Sequence, residues 1–166
     1  MNNDITVNIG EGRKFNYRVG AIIIDSGEIL MVRNSGASHY YTVGGRIQFG
    51  ESAQEAVLRE AFEETQINLE IDKIAYVHEN FFTMRDSGEL FHELCFFFLM
   101  KANSQLRKIK YDFFEEEYGR VSYHWLPLDK LNNFNLYPEF FKTELIKPSD
   151  NTKYFMTRDE ITHRLM

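Results

Sequence analysis

The stretch Ala53 to Thr65 contains neither glycine nor proline, and it starts beside Ser52, which has Glu55 three positions on. That spacing is a capping box, in which the serine and glutamate satisfy each other's backbone donors at a helix N-terminus. A helix over Ala53 to Thr65 is therefore the firmest local expectation, and the rest of the chain must supply a surface to cover it. Strand-like segments on both sides do so. Ile5 to Ile9 alternates apolar and polar residues. Tyr17 to Asp25 carries a β-branched cluster, Val19, Ile22, Ile23 and Ile24. Ser26-Gly27 reads as a tight turn, with Glu28 to Arg33 as the returning strand. Tyr40 to Val43 reads as a strand broken by Gly44-Gly45. Leu69 to Phe82 and Leu90 to Met100 flank the turn Asp86-Ser87-Gly88, and Val121 to Leu126 follows. Pro127 to Leu131 and Pro138 to Ile146 suggest short helical pieces opened by proline. The tail from Pro148 has no clear assignment, although its aromatic residues suggest packing. This order predicts an α+β domain with a largely antiparallel or mixed sheet flanked by helices.

With 166 residues, 43% hydrophobic and 27% charged, the chain suits one compact domain spanning 1–166. No repeat or linker divides it. The net charge of −6 argues against duplex nucleic acid and anionic membranes. A nucleotide ligand is still compatible, because a bound divalent cation can supply local positive charge. Cys95 is the single cysteine and lies in an apolar run, which predicts a buried, inert thiol and a reducing compartment. No signal peptide is evident, and Leu94 to Met100 is too short to span a bilayer, so a soluble cytoplasmic protein is expected.

The helix carries the chemistry. At about 100° per residue, Glu60, Glu63 and Glu64 share an arc of roughly 100°, while Val57, Leu58, Ala61 and Phe62 fall on another side. Acidic neighbours at this spacing repel each other, and they lie where the helix dipole also disfavours negative charge. A hard divalent cation would compensate, and an all-oxygen set suits Mg²⁺ or Mn²⁺ better than Zn²⁺. Taken alone, the triplet reads more readily as a solvated acidic face. Arg59 within it and the glycine-containing loop Gly44 to Glu51 shift the balance, since glycine lets backbone approach a ligand closely.

The full spacing runs Gly45, five residues, Glu51, seven residues, Arg59-Glu60-Ala61, one residue, Glu63-Glu64, two residues, Ile67. It resembles the signature of the Nudix hydrolases, Gx5Ex7REUxEExGU, in which U is aliphatic. Gln66 departs from it, standing where the family has a glycine that ends the helix in a left-handed conformation. The resemblance implies an α/β/α sandwich with a mixed sheet and Mg²⁺-dependent hydrolysis of a nucleoside diphosphate linked to another group. It implies Glu60, Glu63 and Glu64 as metal ligands, with a carbonyl of Gly44 or Gly45 joining them. Glu51 and Arg59 would brace loop and helix, and Glu60 or Glu63 would serve as base. An acidic residue beyond the signature often assists in this family, and Glu115, Glu116 and Glu117 are candidates, though a solvated acidic turn explains them equally well. The competing class is a Nudix-like module that senses a nucleotide without cleaving it; the intact acids favour the enzyme. A small-molecule nucleotide is the expected partner, and a homodimer stays open because similar proteins often dimerise.

The remaining pocket is less legible. Arg18, Arg33 and Arg46 could reach phosphates, but each reads more readily as structural. Phe49, Tyr76, Phe81, Phe82 and Phe91 could stack on a base, with the core as the default for each. The five histidines show no close metal-binding pair. His39-Tyr40-Tyr41 is placed near the glycine loop.

Overall fold

The computed structural model of the chain describes residues 3–109, 114–116 and 119–160. In order they form β1 (Thr6–Gly10), β2 (Arg13–Ile22), β3 (Ile24–Asp25), β4 (Glu28–Asn34), β5 (Val43–Arg46), α1 (Ala53–Thr65), β6 (Ile71–Thr83), β7 (Leu90–Met100), β8 (Phe114–Glu116), β9 (Gly119–Pro127), α2 (Phe141–Glu144) and β10 (Lys153–Arg158). One sheet runs β1-β2-β7-β6-β10, with β5 also paired to β2. It is mixed: β2–β7 and β6–β10 are parallel, and the other pairs are antiparallel. The second sheet, β3-β4-β9-β8, is antiparallel.

Each sheet contributes to two cores. Along β4, Ile29 and Met31 enter one core and Leu30 and Val32 the other, as expected of a strand covered on both faces. Val19, Ala21 and Phe98 join Ala56, Val57 and Ala61 of α1 in the first core. Ile22, Tyr76 and Phe97 join Phe141 and Leu145 in the second. Helices thus lie on opposite sides, as the expected α/β/α sandwich requires. Full burial of Ile29, Leu30 and Met31 is worth about 1.5–3 kcal/mol for each side chain.

The tight turn at Ser26-Gly27 forms with both residues left-handed, φ 51 and 79, matching the right-handed twist of the strands it joins. Cys95 is buried, and burial raises its thiol pKa, so the inert reading holds. Three local expectations need correction. Gly44-Gly45 do not break a strand but lie inside β5, paired with Gly20 and Val19. A side chain at Gly44 would meet the Val19 carbonyl at 2.3 Å, so glycine is what lets these strands approach. Leu58 and Phe62 of α1 are 37% and 41% exposed; Ala56, Val57, Ala61 and Thr65 form its buried stripe instead. The helix expected over Pro138 to Ile146 contracts to Phe141–Glu144 after a cis Tyr137–Pro138 bond. The short helical turn expected over Pro127 to Leu131 does form, as a 3-10 helix over Leu128–Asn133. The unassigned tail supplies β10, parallel to β6, fastened by His78 Nε2 to Thr157 Oγ1 at 2.7 Å and by Thr157 Oγ1 to Asn80 Oδ1 at 2.6 Å.

Candidate active site

The site begins at the capping box. The Ser52 hydroxyl accepts from Glu55 N–H, and the Glu55 carboxylate accepts from Ser52 N–H at 2.7 Å. This starts α1 at Ala53 and fixes the phase at which Glu60, Glu63 and Glu64 leave it. The other end closes at Gln66, which adopts the left-handed conformation (φ 58, ψ 23) in place of glycine. Its N–H donates to Phe62 O at 2.8 Å, and its side-chain amide donates to Glu63 O at 2.9 Å. The amide caps a carbonyl that glycine could not, which offsets the left-handed strain.

Arg59 ties loop to helix. Its Nε and Nη2 fork onto Glu51 at 3.1 and 2.7 Å, and Nη2 also donates to Arg46 O at 3.0 Å. Nη1 donates to Glu60 at 2.8 Å and to Glu63 at 3.1 Å. Glu51 in turn accepts from Gln48 N–H at 2.7 Å, which pins the loop. The hydrogen bond from Arg59 holds the Glu51 carboxyl below the usual carboxylate range, and the same bond raises the Arg59 pKa.

The acids meet the glycines at β5. Glu64 accepts from Gly44 N–H at 2.9 Å. A Cβ on Gly45 would lie 2.4–2.6 Å from the Glu60 carboxyl group, so Glu60 occupies the space that this glycine leaves open. Burial raises the Glu60 pKa against the opposing pull of Arg59. The Tyr123 hydroxyl donates to Glu64 O at 2.9 Å and anchors the end of α1 to β9. Sequence reasoning placed Glu51, Arg59 and the three helix acids together, and they are together here. It missed the Gln48 and Tyr123 contacts; only the position of Gln48 inside the glycine loop hinted at the first.

Among the described residues, no three Asp, Glu, His or Cys side chains converge on one point to hold a metal. Glu60 and Glu63 turn toward Arg59 and Glu64 toward Gly44. The donor set still fits a hard cation, since it is all oxygen, on one helix face, against a strand with no side chain at Gly44 or Gly45. Glu60 Oε2 and Glu63 Oε1 accept no hydrogen bond from the described residues. Glu117 and the side chains of Glu115 and Glu116 lie outside the described residues. Of the stacking candidates, Tyr76, Phe81 and Phe91 are buried and Phe82 stacks on Phe91 at 5.1 Å, whereas Phe49 is 87% exposed. His39 packs edge-on against Tyr137 at 5.0 Å. Among the described residues no helix is long and apolar enough to cross a membrane.

Comparison with known proteins follows the same lines. The chain is similar in fold to the mutator MutT protein from Bacillus halodurans, with TM-score 0.60 and 18% identity over 87% of this chain and 92% of that one. It is also similar to an ADP-ribose pyrophosphatase from Streptococcus suis, with TM-score 0.53 and 15% identity over 86% and 98%. A MutT protein from Methanosarcina mazei gives TM-score 0.52 and 24% identity over 77% and 88%. No curated protein matches the chain significantly. A family model for the NUDIX domain matches residues 14–144, which include the whole glycine loop, Arg59 and the helix acids. By that match the chain belongs to the NUDIX family of pyrophosphohydrolases.

Proposed function

We propose that this chain, as one domain over 1–166, hydrolyses a diphosphate bond in a nucleoside diphosphate joined to another group, using Mg²⁺ or Mn²⁺. The observation that carries the reading is the face of α1. Glu60 fills the space beside Gly45, Glu64 accepts from Gly44 N–H, and Glu63 shares the Arg59 guanidinium with Glu60, braced by the Glu51–Arg59 fork. Glu60, Glu63 and Glu64, with a carbonyl of Gly44 or Gly45, would hold the cation. A cation held there would neutralise charge on phosphate oxygens and lower the pKa of water. Arg59 fixes the direction of Glu60 and Glu63, and Glu51 fixes Arg59. Glu60 or Glu63 would take the proton from the attacking water. The acidic surface favours a soluble small-molecule enzyme of the cytoplasm over a duplex- or membrane-binding protein. The fold likeness to an ADP-ribose pyrophosphatase makes ADP-ribose one sensible member of a substrate panel.

The test is phosphate-bond hydrolysis with Mg²⁺ and Mn²⁺ over ADP-ribose, diadenosine polyphosphates, nucleotide sugars and oxidised deoxynucleoside triphosphates. E63Q and E64Q should each lose at least about 100-fold in kcat. Unchanged turnover in either variant counts against the site. Tight nucleotide binding by the wild type with no turnover on any compound would favour a nucleotide-sensing module instead.

A further inference from the structure

Arg59 uses its guanidinium fully, but two other arginines beside it do not. Arg18 on β2 and Arg46 on β5 are direct cross-strand partners. Their side chains therefore leave the same face of the sheet, about 5 Å apart at Cβ. Like charges placed directly opposite repel, and the nearest acids offset that charge from a distance without hydrogen-bonding either guanidinium. Arg18 Nη1 stands 3.7 Å from Glu93 Oε2, and Arg46 Nη1 stands 3.9 Å from Asp4 Oδ2, both beyond hydrogen-bond reach. Neither guanidinium donates a hydrogen bond to a described residue, and Arg46 Nε is buried with no partner. A buried donor left unmade is costly. Arg33, by contrast, is committed: it donates to Ala37 O at 3.0 Å and lies over the Tyr40 ring.

The pair also stands beside the carboxylate helix. The Arg46 carbonyl accepts from Arg59. Burial works against the Arg18 charge, but Glu93, and then Glu60 and Glu64, more than restore it. Glu93 is itself steadied by Asn16, whose Nδ2 donates to Oε2 at 3.5 Å, and Asn16 by the Thr6 hydroxyl at 3.0 Å. Arg18 is thus aimed by a polar chain running back to β1.

We propose that Arg18 and Arg46 form a two-pronged clamp for the diphosphate group of the substrate, which rests on the reading of the α1 acids as the hydrolytic centre. Guanidinium forks match phosphate oxygens in pairs. Adjacent phosphates would supply the two anions that cancel the Arg–Arg repulsion and give Arg46 Nε an acceptor. Glu93 is a positioning residue for Arg18.

The probe is inorganic pyrophosphate, titrated calorimetrically into the full chain with EDTA present, so that no divalent cation contributes. The wild type should bind it. R18Q and R46Q should each weaken binding by about tenfold or more, and R18K and R46K should fall between, since lysine keeps the charge and loses the fork. With Mg²⁺ and a cleaved nucleotide, the Gln variants should raise KM by about tenfold while kcat stays within about threefold. E93Q should raise KM less than R18Q does, and should raise it no further in the R18Q background. Melting curves check that each variant folds; the half-exposed Arg46 position supplies the readout should R18Q fail to fold. No pyrophosphate binding by the wild type overturns the clamp, as does unchanged affinity in R46Q. Arginine-dependent binding without any turnover would sink the hydrolase reading and leave the clamp standing. Normal turnover with arginine-independent affinity would do the reverse.

Discussion

Replacing Arg59 by methionine should destabilise the fold by about 3 kcal/mol. Methionine keeps much of the aliphatic volume and removes every donor. The fork onto Glu51 joins side chains that are 23% and 17% exposed, and Glu60 is 16% exposed. Removing one partner of a buried pair costs roughly 3–5 kcal/mol, and an exposed pair contributes about 0–1. These exposures lie between, so about 2 kcal/mol belongs to the stranded carboxylates. The bond to Arg46 O adds about 1 kcal/mol. The bond to Glu63, whose side chain is 56% exposed, adds little. Urea titration should show a lower midpoint with an unchanged slope, and the melting temperature should fall by about 6–12 °C. Substituting Glu51 by glutamine in the same background should recover about 1–2 kcal/mol of the sum of the two single losses. An R59M loss below about 1 kcal/mol, or strict additivity with E51Q, would refute the view that Arg59 organises the loop–helix junction.

Three further outcomes follow from the same geometry. G45A should fold with a loss of about 1 kcal/mol, because its Cβ meets only the mobile end of Glu60, yet lose at least about tenfold in kcat/KM; G44A, which meets the Val19 carbonyl at φ +143, should be several-fold more destabilised, and melting curves with kinetics separate the two. Q66A keeps the left-handed strain and loses the amide caps, so it should be about 1 kcal/mol less stable in urea, while Q66G trades caps for relief and should stay within about 0.5 kcal/mol of wild type. Burial holds His78 at about 4 rather than 6.5. The unfolded chain therefore takes up a proton that the folded one refuses as pH falls through 6.5, so this contribution is complete well above pH 6.5 and about 3 kcal/mol is lost on descending to pH 4. H78Q, which retains a polar partner for Thr157, should flatten that slope in urea titrations across the range; an unchanged slope would remove His78 as its source.

Much of the site was legible because its code is local. Ser52 and Glu55 set where α1 begins, and the 3.6-residue turn then dictates that Glu60, Glu63 and Glu64 share a side. Glu51 and Arg59 stand eight positions apart, within reach once that helix exists. Gln66 departs from the expected glycine, and its left-handed backbone with an amide cap still ends the helix there. The glycine pair was misread because a glycine looks like a break until its strand partner is known. Only pairing with Gly20 and Val19 shows that Gly44-Gly45 serve close approach inside a strand. The wheel groups Val57, Leu58, Ala61 and Phe62 on one side, but which part of an apolar arc is buried depends on the opposing surface, and that surface selects Ala56, Val57 and Ala61.

The sequence by itself determined the helix, its caps, the carboxylate face and the glycine loop, since each depends on neighbours within about two turns of chain. Tertiary structure alone decided which arginines are left unsatisfied. Arg18, Arg33 and Arg46 are equivalent in a one-dimensional reading. Strand register puts Arg18 opposite Arg46, folds Arg33 back onto Ala37 and Tyr40, and brings β10 beside β6 from more than 70 residues away. Pairing at such separation is fixed by the global packing of two cores, where no local pattern can express it.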